Sequence, residues 1–288
     1  MQQITIVSGK GGTGKTSFTS AFAALSKDAV FADCDVDAAN LYLTLNPENY
    51  HEEVFPGSKT AVIDQNRCTQ CGICEAYCRF DAISSDSDGF HISEFSCEGC
   101  ELCMKVCPHQ AIYMEQSMDS RWFMGNTRFG PMVHAKLGVA EDLSGKLVTL
   151  VRDKARKLAS ENARHTILID GPPGIGCPVI ASITGTDKVV VVTEPSKSGL
   201  HDLERVVKLA KSFSLQLAVV INKYDINTSM ARVLEKYCDA NNITLLGKVP
   251  FNTVMVDAMV QQKSVVEYAP QSNVSREIRK IWKKIDSY

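Results

Sequence analysis

Along the chain, short runs of consecutive apolar, often β-branched residues alternate with longer stretches in which apolar positions recur every three or four residues. The short runs cover residues 4–8, 29–32, 165–170, 189–192, 217–221 and 244–249. Unbroken apolar character over so few residues marks strands covered on both faces, as in a parallel sheet. Helical spacing covers residues 16–25, 143–159, 199–213, 229–238 and 275–285. In the second of these it falls on Leu143, Leu147, Val151 and Leu158; in the last, Ile278, Trp282 and Ile285 share a face, with Arg279, Lys280, Lys283 and Lys284 around it. Strands alternating with helices predict an α/β fold with a doubly wound, mostly parallel sheet. Two stretches break the pattern. Residues 47–59, with Pro47, Pro56 and Gly57, read as a linker. Residues 120–140, with Trp122, Phe123, Phe129 and His134, read as an extended return connection. Between them lies a cysteine-rich segment of neither period, so the expected division is 1–58 and 117–288 for the α/β domain and 59–116 for an inserted, smaller α+β module.

Composition narrows the setting more than the fold. Of 288 residues 44% are apolar and 22% charged, ordinary for a globular chain. A formal net charge of −2 supplies no basic footprint for nucleic acid. No run approaches 18 apolar residues, so no membrane span is expected, and the chain enters a strand at once with no leader pattern. Eleven cysteines without an export signal point to a reducing cytoplasm and metal ligation.

Eight of those cysteines form two runs, Cys68-x2-Cys71-x2-Cys74-x3-Cys78 and Cys97-x2-Cys100-x2-Cys103-x3-Cys107-Pro108. The runs repeat at an offset of 29 residues, which also maps Ala82-Ile83 onto Ala111-Ile112. This spacing suits two [4Fe–4S] clusters, three ligands of each coming from one run and the fourth from the other. The expected sets are Cys68, Cys71, Cys74 with Cys107, and Cys97, Cys100, Cys103 with Cys78. Zinc and disulfides are the alternatives; neither calls for three cysteines at x2 and a fourth at x3, twice over. Arg79 stands where the motif usually carries proline. Cys34, Cys177 and Cys238 lie outside the runs, and Cys177 reads as a small packed residue.

The strand at 4–8 ends in Gly9-Lys10-Gly11-Gly12-Thr13-Gly14-Lys15-Thr16-Ser17, which fits G-x-x-x-x-G-K-[ST]. Such a loop wraps phosphates with backbone N–H groups, with Lys15 on the β/γ-phosphates and Thr16 on Mg²⁺. The second lysine, Lys10, resembles the deviant Walker A of the MinD/ParA superfamily (the CobQ/CobB/MinD/ParA type). Its resemblance implies that Lys10 reaches phosphates across an ATP-sandwiched dimer. Asp33-Cys34-Asp35-Val36-Asp37-Ala38-Ala39-Asn40 resembles the family's switch I, which implies that Asp35 positions or activates the attacking water and Asn40 helps hold the loop. Asp33 and Asp37 have a plainer role open to them as caps of the following helix. Asp170-Gly171-Pro172-Pro173-Gly174-Ile175-Gly176 resembles Walker B and switch II, implying Asp170 bound to Mg²⁺ through water and a Gly174 N–H offered to the γ-phosphate. Asn222-Lys223, and Pro250 after the last strand, fall where the family recognises adenine. The helix at 275–285 could serve membrane targeting as in MinD, but a docked terminal helix is the favoured reading.

The whole chain thus resembles MinD-superfamily P-loop ATPases with an inserted two-cluster ferredoxin domain. The resemblance implies Mg²⁺-dependent ATP hydrolysis in an ATP-dependent homodimer, or a heterodimer with a paralogue, and electron transfer to a redox partner protein. Nucleic acid and stable membrane association are not expected. Two other uses stay open: a carrier or scaffold that donates clusters, weakened by the lack of Cys-x2-Cys beyond residue 107, and a MinD/ParA-like positioning ATPase with a redox-sensing module.

Overall fold

The apolar runs become strands, and their alternation explains the layering. The structure, a computed structural model, describes residues 1–139, 141 and 143–287, and for residues 286 and 287 the backbone alone. Its strands are β1 (Gln2–Ser8), β2 (Ala29–Asp33), β3 (Glu48–Phe55), β4 (Lys59–Ile63), β5 (Ile83–Asp86), β6 (Gly89–Ile92), β7 (Ile112–Gln116), β8 (Ser120–Thr127), β9 (Gly130–Lys136), β10 (Thr166–Pro173), β11 (Lys188–Thr193), β12 (Gln216–Asn222) and β13 (Thr244–Val249). Nine form one sheet in the order β13-β12-β11-β1-β10-β2-β9-β8-β3. Every neighbouring pair from β13 to β9 is parallel. Successive residues of a strand point to opposite faces, and both faces are covered. On β11, Val190 and Val192 enter one core with Phe18, Phe22 and Leu168. Val189 and Val191 enter another with Leu203, Val206 and Leu234.

The terminal helix, Asn273–Ser287, belongs to the first core. Ile278 and Ile285 are fully buried, and the Trp282 ring stacks on Phe22 at 5.4 Å between centroids. Its apolar face is therefore spent on the protein's own interior, the docked arrangement. No helix among the described residues is long and apolar enough to cross a membrane.

Residues 47–59 do not form a linker throughout. Residues 48–55 make edge strand β3, whose outward polar residues Glu48, Asn49, Tyr50, Glu52 and Glu53 hide any period in the sequence. The return connection is extended as expected, but as two sheet strands, β8 and β9, joined across residues 128–129. His134 on β9 is buried between the rings of Tyr42 and Phe123, with centroids at 5.4 and 4.8 Å. Burial lowers its pKa to about 4.

Two compact units emerge: Met1–Glu53 with Trp122–Lys136 and Ser144–Tyr288, and Val54–Arg121 with Leu137–Leu143. The expected 59–116 lies inside the second, whose two halves repeat at the same offset as the cysteines. Each half has a strand, a ligand run, a short helix and a strand. The first strand of each half pairs antiparallel with the last strand of the other: β4 with β7 and β6 with β5. The short helices, Ile73–Tyr77 and Leu102–Val106, are 29 residues apart. Left-handed backbone recurs at matched positions too, Gln70 with Gly99, Gly72 with Glu101, and Asp81 with Gln110.

Candidate functional site

At the carboxyl end of β1 the chain turns through Gly12 and Gly14, both at positive φ, into helix Lys15–Leu25. Gly14 has a second reason to be glycine: a Cβ there would sit 2.5 Å from Asn222 Nδ2. That amide donates to the Thr13 carbonyl at 2.7 Å, and Lys223 Nζ donates to the Gly12 carbonyl at 3.0 Å. The loop is thus braced from the end of β12, several strands away in the sequence.

The loop borders a cavity of about 390 Å³, within the range of small-molecule sites. Lining it are Gly11, Gly12, Thr13, Gly14, Lys15, Thr16, Ser17, Asp35, Asn40, Asn222 and Pro250, with Pro173, Lys223, Phe251, Asn252, Met255, Val256 and Met259 among the others. At its base Lys15 Nζ lies 2.9 Å from Asp170 Oδ2 and 3.3 Å from Asp35 Oδ2. Thr16 Oγ1 donates to Asp170 Oδ2 at 2.7 Å, and Thr19 Oγ1 to Asp170 Oδ1 at 2.6 Å. Thr19, one turn beyond Lys15, gave no signal in the sequence because it reads as an ordinary helix residue.

Charge at this base is out of balance. Burial works to lower the Lys15 pKa, but Asp170 and Asp35 outweigh it and hold Lys15 above its ordinary value. Burial and then the Asp170 carboxylate push Asp33 up to about 8, and burial raises Asp35 against the pull of Lys15. Three aspartates around one lysine call for further positive charge. In addition, Thr13 Oγ1 and Asn40 Oδ1 are buried beside the cavity without a hydrogen-bond partner, a cost a bound polar ligand would relieve. The residues fit a Mg²⁺–nucleotide.

Several expected residues stand elsewhere. Of the two aspartates open to a capping role, Asp33 accepts from the Leu41 N–H at 3.0 Å, at the start of helix Leu41–Leu45, and Asp37 is exposed. Gly174, also at positive φ, gives its N–H to the Ser8 carbonyl at 2.8 Å, so here that group is bonded within the protein. Cys177 is exposed, not packed, and opens helix Cys177–Ile183 with Pro178 behind it; Cys34 and Cys238 are buried. Gly9 and Lys10 do not line the cavity. Lys10 Nζ instead pairs with Glu194 Oε1 at 2.6 Å and donates to Ser198 Oγ at 3.0 Å. The apolar cavity wall Met255, Val256 and Met259 lies on helix Val254–Val260, a short apolar stretch from which no helix was expected.

The cysteine unit holds two further cavities. Cys68, Cys71, Cys74 and Cys107 line one, and Cys97, Cys100, Cys103 and Cys78 the other. Each is small, about 20 Å³ against about 390 Å³ for the nucleotide cavity. Among the described residues no three His, Cys, Asp or Glu side chains close on a single ion. Backbone N–H groups point at the sulfurs: Ala82 at Cys78 Sγ (3.4 Å), Ala111 at Cys107 Sγ (3.3 Å) and Ala61 at Cys97 Sγ (3.4 Å). Burial raises the thiol pKa of Cys74 and Cys103, which metal ligation would reverse. The donor set, four cysteines to each cavity, fits a [4Fe–4S] cluster.

Comparison with known proteins finds relatives of two kinds, nucleotide-binding proteins and ferredoxins. Residues 4–265 match the model of the CobQ/CobB/MinD/ParA nucleotide-binding domain. Uncharacterized protein MJ0578 of Methanocaldococcus jannaschii is 32% identical over 234 residues, which is 79% of this chain and 80% of that one. Ferredoxin-3 of Chlorobaculum tepidum is 41% identical over 51 residues, 16% of this chain and 82% of the ferredoxin. Among solved structures, the cell division ATPase MinD of Pyrococcus furiosus superposes with a TM-score of 0.61 at 20% identity, covering 99% of this chain and 98% of that one.

Proposed function

The chain belongs to the CobQ/CobB/MinD/ParA nucleotide-binding family, and from that membership we propose an iron–sulfur ATPase in which nucleotide-dependent dimerisation governs electron transfer to a partner protein. The observation that carries this reading is the pairing, in one chain, of a charged phosphate-loop cavity with two four-cysteine cavities. Thr16 and Asp170 would hold Mg²⁺; the two cysteine sets would hold a [4Fe–4S] cluster each, within an insertion at 59–116. Those clusters, when bound, supply storage and passage of single electrons. Asp35, buried at the cavity base and close to Lys15, orients the attacking water, and Lys15 offsets the charge of the transferred phosphate. Lys10 is free to act on a second protomer's phosphates only after leaving Glu194, so dimerisation and nucleotide binding are linked and each strengthens the other. The second protomer is another copy of this chain or a paralogue, and a reducing cytoplasm suits the thiolates.

Anaerobic purification with metal and acid-labile sulfide counts tests this together with hydrolysis assays. The expected result is about eight irons and eight sulfides per chain, with Mg²⁺-dependent ATP hydrolysis that Lys15→Ala abolishes. Stoichiometric zinc without iron, or hydrolysis indifferent to Lys15→Ala, would overturn it.

A further inference from the structure

The two cysteine cavities are related by the 29-residue repeat, so their differences can be read position by position. Glu98 and Glu101 line the cavity of Cys97, Cys100, Cys103 and Cys78. Their counterparts at the other cavity are Thr69 and Gly72, which carry no charge. Phe80 at the first of these cavities is matched by His109 at the second. Arg67, whose counterpart is Ser96, is fixed beside the Cys68 cavity by donating to the His109 carbonyl at 3.2 Å. Glu75, Arg79 and Lys105, like Arg67 itself, are exposed and line neither cavity. One site therefore has two glutamates among its lining residues, Glu101 half-buried and Glu98 exposed, and the other has no acidic residue among its own.

We propose that Glu98 and Glu101 make the Cys97 site the lower-potential of the two, so that a single electron in the module settles at the Cys68 site. Adding an electron adds negative charge, which nearby carboxylates oppose, and water screens the half-buried Glu101 less than the exposed Glu98. The comparison concerns one electron at either of two sites in the same chain, so no outside oxidant or reductant enters its balance. It rests on the cluster reading proposed above.

The test is a potentiometric titration of the anaerobically prepared full chain with dithionite, followed by EPR. Two one-electron steps should be resolved, with the Cys68 site favoured at least tenfold, a separation of about 59 mV or more. The double variant Glu98→Gln/Glu101→Gln should raise the lower step and leave the upper one in place. Thr69→Glu, at an exposed position, should lower the upper step, which keeps the inference testable if the double variant fails to fold. Coincident steps in a chain with its full iron, or a double variant that moves only the upper step, would overturn the inference alone. A chain that binds no iron would overturn the cluster reading and the inference with it.

Discussion

The nucleotide site and the cysteine unit are built on opposite plans. The first joins residues far apart in sequence, Thr16 and Thr19 to Asp170 and Thr13 to Asn222, by direct hydrogen bonds among protein groups. It stands on a sheet with two cores of its own, so the fold needs no ligand to exist. The second is local and repeated, and its apolar core is thin: Ala61, Cys74, Ile83, Phe90 and Ile112, with five of the remaining neighbours being or flanking ligand cysteines. There the walls of the core include the cysteines, and a bound cluster would complete it. A small domain with so little apolar burial depends on such a staple.

That contrast predicts its largest effect on iron removal. Chelation under anaerobic conditions should let the amides of residues 59–116 exchange at nearly unfolded rates while β1, β10 and β11 stay protected, as hydrogen exchange can show. Persistent protection of the module without iron would break the comparison.

Within the nucleotide unit, Lys15→Ala should abolish tight ATP binding, whereas Asp35→Ala should keep ATP bound and slow hydrolysis about 100-fold. Equilibrium binding and single-turnover rates separate the two. An Asp35→Ala protein at the wild-type rate would remove that residue from the chemistry.

His134 sharpens the comparison through pH, because its environment is wholly in the nucleotide unit. Its folded pKa of about 4 lies below the ordinary 6.5. The unfolded chain therefore takes up its proton first, and the stabilisation is complete above pH 6.5 and lost as pH falls toward 4. The loss can reach about 3 kcal/mol. Urea unfolding at pH 7 and pH 4.5 should show wild type losing more stability than His134→Gln; equal losses would mean His134 titrates normally.

The smallest effect concerns Lys10, held by Glu194 in its own chain. Glu194→Gln should lower the concentration of a slowly hydrolysed ATP analogue needed for dimerisation about two- to fivefold, the reach of a half-exposed ion pair, as light scattering would record.

Much of this was legible in the chain, and the failures have physical causes. Continuous apolar runs gave the parallel strands because burial on both faces leaves no polar residue to interrupt them. The phosphate loop and the cysteine runs were legible because backbone and ligand geometry fix their spacing. Strand β3 was hidden because an edge strand with solvent on it carries polar residues in no regular period. Helix Val254–Val260 was hidden because seven residues of mostly apolar character fit strand and helix alike. Spacing alone left both Asp33 and Asp37 open as caps of helix Leu41–Leu45, and tertiary structure brings Asp33 to Leu41. Cys177 looked packed by residue type and is exposed by its place at a helix start. The embrace of Lys10 by Glu194 and Ser198 spans 188 residues or nearly so, and no local pattern encodes it.

The central claim is that nucleotide-dependent dimerisation governs the passage of electrons from the cysteine module. Its most direct measurement is stopped-flow transfer from the dithionite-reduced, iron-replete protein to an oxidised viologen dye, after removal of excess reductant, with and without Mg²⁺–ATP. The account predicts that ATP changes the transfer rate severalfold in wild type, and that Lys10→Ala binds ATP yet shows no change. Equal rates with and without ATP in a protein that dimerises on binding it would contradict the account.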